Sequence, residues 1–244
     1  MTLRAVIFDW GGTITPWHRI DLESQWYAFA QNYDPINAAT LASALYEAEE
    51  ARWMIQRDTR GAESTGALTS ILQSCGVDLN APQFEFAFEQ YLEFWKPHTY
   101  ADPDALPLFR ALKERGVLVG ILSNTMWSRE HHEHILERDG LLEFVNGGVY
   151  TSELPVAKPH QDAFLAAVAA VGVDDPRDVV FVGDRLFDDI HGAQSVGMRA
   201  IFLPHSDHRD HELVEVENQP DAVIQKLGDV FNLVRQWQKS EFNN

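Results

Sequence analysis

The chain has 244 residues, with 19 Lys plus Arg against 37 Asp plus Glu and a formal net charge of −18. That balance excludes a basic nucleic-acid footprint and disfavours an anionic membrane surface, because both partners are polyanions. It leaves open a small phosphorylated ligand, since the local field and not the total charge decides that case.

Hydrophobic residues at 45% and charged residues at 23% are ordinary globular usage, and the length suffices for a substantial core. The first predicted element is the apolar run Leu3-Arg4-Ala5-Val6-Ile7-Phe8, stopped by Asp9. It is too short and wrongly flanked for a signal peptide. Residues 17–102 follow without a convincing strand. They carry helical patterns over 22–33 and 38–56 and hold 14 of the 27 aromatic residues, among them Trp17, Trp26, Trp53 and Trp95. So many aromatics in a helical stretch are expected to form a core of their own. Pro16 precedes this stretch, and Pro97 and Pro103 punctuate its end, so it reads as a helical insertion joined by two linkers.

Strand and helix alternate after it. A helix over 105–115, closed by Gly116, leads to the run Val117-Leu118-Val119-Gly120-Ile121-Leu122 and Ser123. A helix over 159–171, with Pro159 in its first turn, leads to Val179-Val180-Phe181-Val182-Gly183 and Asp184. Residues 199–203 form a further strand, and 223–238 begin as a strand and end as a helix. Continuous apolar runs separated by helices imply a Rossmann-like, doubly wound parallel α/β sheet. The expected organisation is a core of residues 1–16 and 103–244 with a helical cap of 17–102. Residues 206–221, rich in acids, read as a solvated loop.

Ligands gather at the carboxyl ends of strands in such a sheet. Those ends supply Asp9, Ser123 and Asp184, with Lys158 just before a helix and Asp188 and Asp189 shortly after Asp184. A carboxylate nucleophile, a hydroxyl, a cation and several carboxylates can assemble a phosphoryl-transfer site. Each residue also has a plainer reading. Asp9 could form a turn, Ser123 could cap a helix starting near Met126, and Lys158 could be a surface lysine. Asp188 and Asp189 could favour the positive end of a helix running to Val196.

The four segments together resemble the motifs of the haloacid dehalogenase-like (HAD) hydrolases. They are Asp9-Trp10-Gly11-Gly12-Thr13, Ser123-Asn124, Lys158-Pro159 and Gly183-Asp184-Arg185-Leu186-Phe187-Asp188-Asp189. The resemblance covers the whole chain, with the cap inserted between the first and second motifs. It implies Asp9 as nucleophile and Mg²⁺ ligand, with the Gly11 carbonyl and Asp184 as further ligands. Asp188 and Asp189 would orient the metal and its waters. Ser123 would hydrogen-bond the phosphoryl group, Lys158 would neutralise charge around Asp9, and Gly12, Thr13 and Asn124 would help bind substrate. The implied activity is a Mg²⁺-dependent phosphatase for a small phosphorylated metabolite.

One position departs from that pattern. The family's phosphatases carry a second aspartate two residues after the nucleophile as general acid and base, and here Gly11 stands there. Metal ligation by the backbone survives this change. General acid catalysis, typically worth roughly 10²–10⁴ in rate, does not. His18 or a cap residue could supply the proton, the substrate could be an acyl phosphate with a good leaving group, or the protein could bind a ligand with little turnover. A phosphonatase-like activity is a further alternative, although Lys96, the only lysine of the insert, lies at its end. The metal-binding acids argue against the dehalogenase branch.

The histidine groups His131, His132, His134 and His205, His208, His211 read as solvated polar residues. The lone Cys75 permits no intrachain disulfide and reads as a small buried side chain. No apolar run reaches membrane-span length, so a cytoplasmic protein, a monomer or homodimer, is expected.

Overall fold

A computed structural model describes residues 3–16, 20–204 and 219–241, with no side-chain detail beyond 238. The core is a six-stranded, all-parallel sheet in the order β3-β2-β1-β4-β5-β6. Its strands are β1 (Ala5–Phe8), β2 (Leu118–Ser123), β3 (Gly147–Tyr150), β4 (Val179–Gly183), β5 (Arg199–Phe202) and β6 (Ala222–Val223). The alternation within the apolar runs explains why both faces are covered. Val6 and Phe8 of β1 join one buried cluster, with Phe109, Leu112, Leu136, Val230 and Val234. Ala5 and Ile7 join the cluster on the other face, with Phe164, Val168, Ile190 and Ala193. The flanking helices are α5 (Ala105–Glu114), α6 (Arg129–Arg138), α7 (Gln161–Ala170), α8 (Gly192–Ser195) and α9 (Val230–Glu241).

Four helices lie between β1 and α5: α1 (Leu22–Tyr33), α2 (Ala38–Asp58), α3 (Leu68–Ser74) and α4 (Phe84–Trp95). Their buried side chains form a third cluster around Trp26, Phe29, Leu45, Ile71 and Tyr91. Trp26 is fully buried, and its Nε1–H donates to the buried Glu49 at 2.6 Å. The two chain crossings are held together, since Asp102 N donates to Ile14 O at 2.7 Å. Met126, which follows β2, belongs to the helical cluster, so the two parts share packed surface.

Several local expectations change. The short strand β3 escaped prediction because Gly-Gly-Val-Tyr carries little β-branched signal. Helix α7 starts at Gln161 after His160 as N-cap, and not at Pro159, because His160 keeps an extended backbone. Helix α6 starts at Arg129 and is capped by Ser128, whose side chain accepts from His131 N, so Ser123 caps nothing. The segment after β4 is a π-helical turn, Leu186–His191, before α8 ends at Ser195. Cys75 is only half-buried. Residues 205–218, which include His205, His208, His211 and most of the expected acidic loop, lie outside the described residues, as do Trp17 and His18.

Gly147 shows why β3 needs glycine. A Cβ there would collide with the Ala170 carbonyl at the end of α7. Gly147→Ala is expected to destabilise the fold by about 1–3 kcal/mol through overpacking, measured by urea denaturation.

Candidate active site

The strand register fixes which residues meet. Phe8 lies opposite Ile121 of β2 and Val182 of β4, so Asp9, Ser123 and Asp184 emerge beside one another at the carboxyl edge. Chain connections run outward in opposite directions from β1 and β4, which makes this the topological switch point where an open α/β sheet forms its crevice. The backbone of Asp9 is fixed by donation from its N–H to Val182 O at 2.9 Å.

Lys158 comes from the loop before α7. It is 2% exposed, and its Nζ donates to Asp9 Oδ1 at 2.5 Å and to Asp189 Oδ1 at 2.6 Å. It is therefore not a surface lysine. Asn124 positions it: Lys158 N donates to Asn124 Oδ1 at 2.9 Å, and Asn124 Nδ2 donates to Lys158 O at 3.1 Å. Both polar groups of that amide engage the lysine backbone. The other oxygen of Asp189 accepts from the N–H groups of Asp184 and Arg185, at 3.1 and 2.9 Å. Asp189 thus ties the turn after β4 to the lysine.

Asp9, Asp184 and Asp189 are all buried, and each presents an oxygen within 4.8 Å of the others. Burial pushes the Asp9 carboxyl up, and the adjacent Lys158 opposes that shift. Burial also holds Asp184 well above the usual carboxylate range, with repulsion from Asp9 and Asp189 added. For Lys158, burial favours the neutral amine, but the carboxylates of Asp189 and Asp9 outweigh it and hold the ammonium above its ordinary value. Three carboxylates against one ammonium leave an excess of hard oxygen donors, a set suited to Mg²⁺. Asp188 stands outside this trio. It faces Arg185 at 3.7 Å, and burial pushes its carboxyl up to about 6.

The remaining predicted residues surround this centre. Ser123 and Thr13 are buried, and Gly12 N donates to Thr15 O at 2.8 Å. Gly11 is exposed, and a Cβ there would meet no atom within 4 Å.

Sequence reasoning missed an aromatic and threonine layer behind the site. His132 is buried, not solvated. Its ring stacks on Tyr150 at 4.5 Å, meets Trp10 edge-on at 4.9 Å and lies 3.0 Å from Thr125 Oγ1 through Nε2. Trp127 extends this layer into the helical insertion, donating from Nε1 to Tyr91 Oη at 3.1 Å. Only the helical period of 129–138 hinted at this, because it places His132, Ile135 and Leu136 on the inward face.

The family model for haloacid dehalogenase-like hydrolase matches residues 3–197. The chain belongs to this family. Among curated relatives, a glyceraldehyde 3-phosphate phosphatase of Methanopyrus kandleri is 26% identical, covering 97% of this chain and 99% of the relative. An N-acetylmuramic acid 6-phosphate phosphatase of Pseudomonas aeruginosa is 27% identical, covering 82% and 80%. A HAD phosphatase structure from Thermococcus onnurineus shares the fold, with a TM-score of 0.66, 24% identity and coverage of 95% and 98%. The chain is thus a HAD hydrolase with relatives that are phosphatases of small phosphorylated molecules, in a family that generally uses Mg²⁺. Among the described residues, no helix is long and apolar enough to cross a membrane.

His132 supplies a test of the layer behind the site. Burial, with repulsion from His131, pushes its imidazole down to about 3. A depressed folded-state value means the neutral ring stabilises the fold above pH 6.5, and that contribution is lost as pH falls toward 3. The expected slope is up to about 1.4 kcal/mol per pH unit. Urea melts at pH 7, 6 and 5 should show a shallower pH dependence for His132→Phe than for the parent chain.

Proposed function

We propose that the chain hydrolyses a small phosphorylated metabolite, with Asp9 as nucleophile. The observation that carries this reading is the buried bridge from Lys158 to Asp9 and Asp189, with Asp184 alongside. The Asp9 carboxylate attacks phosphorus, the bond to the leaving oxygen breaks, and an aspartyl-phosphate forms. Water then attacks that phosphorus, releasing inorganic phosphate and restoring Asp9. Lys158 keeps a positive charge beside the phosphoryl oxygens, and the Ser123 hydroxyl donates to one of them. Gly12 and Thr13 line the turn that receives the phosphoryl group. Asn124 acts through Lys158, whose backbone it grips.

The donor set fits Mg²⁺. Asp9, the Gly11 carbonyl and Asp184 would hold it, supported by Asp188 and Asp189, and when bound it would neutralise charge on the phosphoryl oxygens. The helical segment 17–102 serves as a cap that excludes water and selects substrate.

Gly11 sets the substrate's chemistry. It brings no acid to the leaving oxygen, and the space beside it is open. A substrate whose leaving group needs little protonation, such as an acyl phosphate, suits such a site best. The same open position supports a second reading, a ligand-binding protein with little turnover. Lys96 pairs with Glu93 at 2.9 Å on an exposed surface, which gives no support to a phosphonatase-like lysine.

Purified protein with Mg²⁺ is expected to turn over acetyl phosphate faster than p-nitrophenyl phosphate. No turnover of either, with measurable phosphate binding, would favour the second reading. Asp9→Asn is expected to abolish turnover, and retained activity would overturn the nucleophile assignment. Gly11→Asp places its Cβ in open space and is expected to raise the rate on alkyl phosphates by roughly 10²-fold, the lower range of general acid catalysis. Steady-state kinetics on an alkyl and an acyl phosphate would check that gain.

A further inference from the structure

Residues 17–102 carry only 5 basic residues against 13 acidic ones. Three of the five, Arg52, Arg57 and Arg60, gather toward the carboxyl end of α2 and the turn after it. All three are exposed, and among the described residues none is paired with a carboxylate. Arg60 also has a φ of 52°, the left-handed backbone region that disfavours a side chain. That conformation closes α2, with Arg60 N donating to Arg57 O at 3.0 Å and Gly61 N to Gln56 O at 2.8 Å, and it fixes where the arginine leaves the helix.

The turn that follows Arg60 packs on the segment that carries Lys158. The next residue, Gly61, lies on the chain that carries the lysine. Its carbonyl accepts from Ala157 N at 2.8 Å, and a Cβ on it would collide with Ala157 O and stand 2.9 Å from Lys158 O. Ser64 N donates to Pro155 O at 3.0 Å, and Ser64 Oγ donates to Leu154 O at 2.6 Å. The turn that begins with Arg60 is therefore fastened to the segment whose ammonium touches Asp9. It brings three arginines, with Asp58 and Glu63 beside them, to that segment in a chain of net charge −18. Phosphate held by Lys158 would not need this patch.

We infer that Arg60, with Arg57 and Arg52 behind it, binds a second anionic group on the substrate, a carboxylate or a second phosphate. Guanidinium groups recognise either anion by paired, charge-assisted hydrogen bonds. This inference rests on the phosphate-binding part of the proposed function. It commits the substrate to carrying two anionic ends, with the phosphoryl group at Asp9 and the other at the arginines.

Calorimetry on the full chain with Mg²⁺ tests it without turnover. The probes are propylphosphonate, 2-carboxyethylphosphonate and propane-1,3-bisphosphonate, which share the phosphonate and differ at the far end. At least one doubly anionic probe is expected to bind about tenfold or more tightly than propylphosphonate, and comparing the two tells carboxylate from phosphate. In Arg60→Gly, which suits the left-handed backbone, combined with Arg57→Gln, that preference is expected to fall to about twofold or less. Arg60→Lys should retain part of it. Equal affinity of all three probes, or a preference unchanged in the double variant, would overturn the inference, as would binding of none. Failure to hydrolyse acetyl phosphate while the preference persists would count against the catalytic reading alone.

Discussion

A single buried ammonium, that of Lys158, stands against Asp9 and Asp189 with Asp184 beside them. Removing an ion from water costs several kcal/mol unless pairing and hydrogen bonds offset it. The surrounding fold is organised around that constraint. The parallel register of β1 with β2 and β4 sets Asp9, Ser123 and Asp184 at one edge. Asn124 fixes the lysine backbone through two hydrogen bonds, and Asp189 spends its second oxygen on two backbone N–H groups. Lys158 and Asp9 are 149 residues apart in sequence, so their contact exists only when the whole sheet has formed.

The pairing is incomplete by design of charge. One ammonium cannot neutralise three carboxylates; burial raises the carboxyls of Asp9 and Asp184, and repulsion from the neighbouring acids adds to that shift. Oxygen donors of this hardness and spacing suit a divalent cation. The net charge of the chain therefore says little about its ligand. What matters is a small set of acids drawn into one low-dielectric edge, where their fields are least screened.

Most of this edge was legible in the sequence because its logic is local. An apolar run stopped by a polar residue marks a strand end, and three such ends plus a lysine suffice to suggest the chemistry. What stayed hidden depends on partners distant in the chain. The amide of Asn124 looks equally fit to bind substrate or backbone until Lys158 is seen against it. His132 looks solvated beside its charged neighbours, and only the packing of Trp10, Tyr150 and Trp127 around it makes it a buried, neutral ring. Strand β3 was missed because the glycine that lets α7 approach also erases the strand's signature. The contact of Gly61 with residues 157–158 left no sequence signal beyond one glycine among fifteen.

The helical insertion and the core meet at places with different physical character. One is apolar and aromatic: Met126 and Trp127 enter the helical cluster, and Leu68 N donates to Met126 O at 2.9 Å. The other is polar and backbone-mediated, where the turn 59–64 meets residues 154–158. The first is a packed contact whose opening would expose a large apolar surface to water. The second consists of a few hydrogen bonds, each of modest net worth because water can replace them. The polar contact is therefore the weaker of the two.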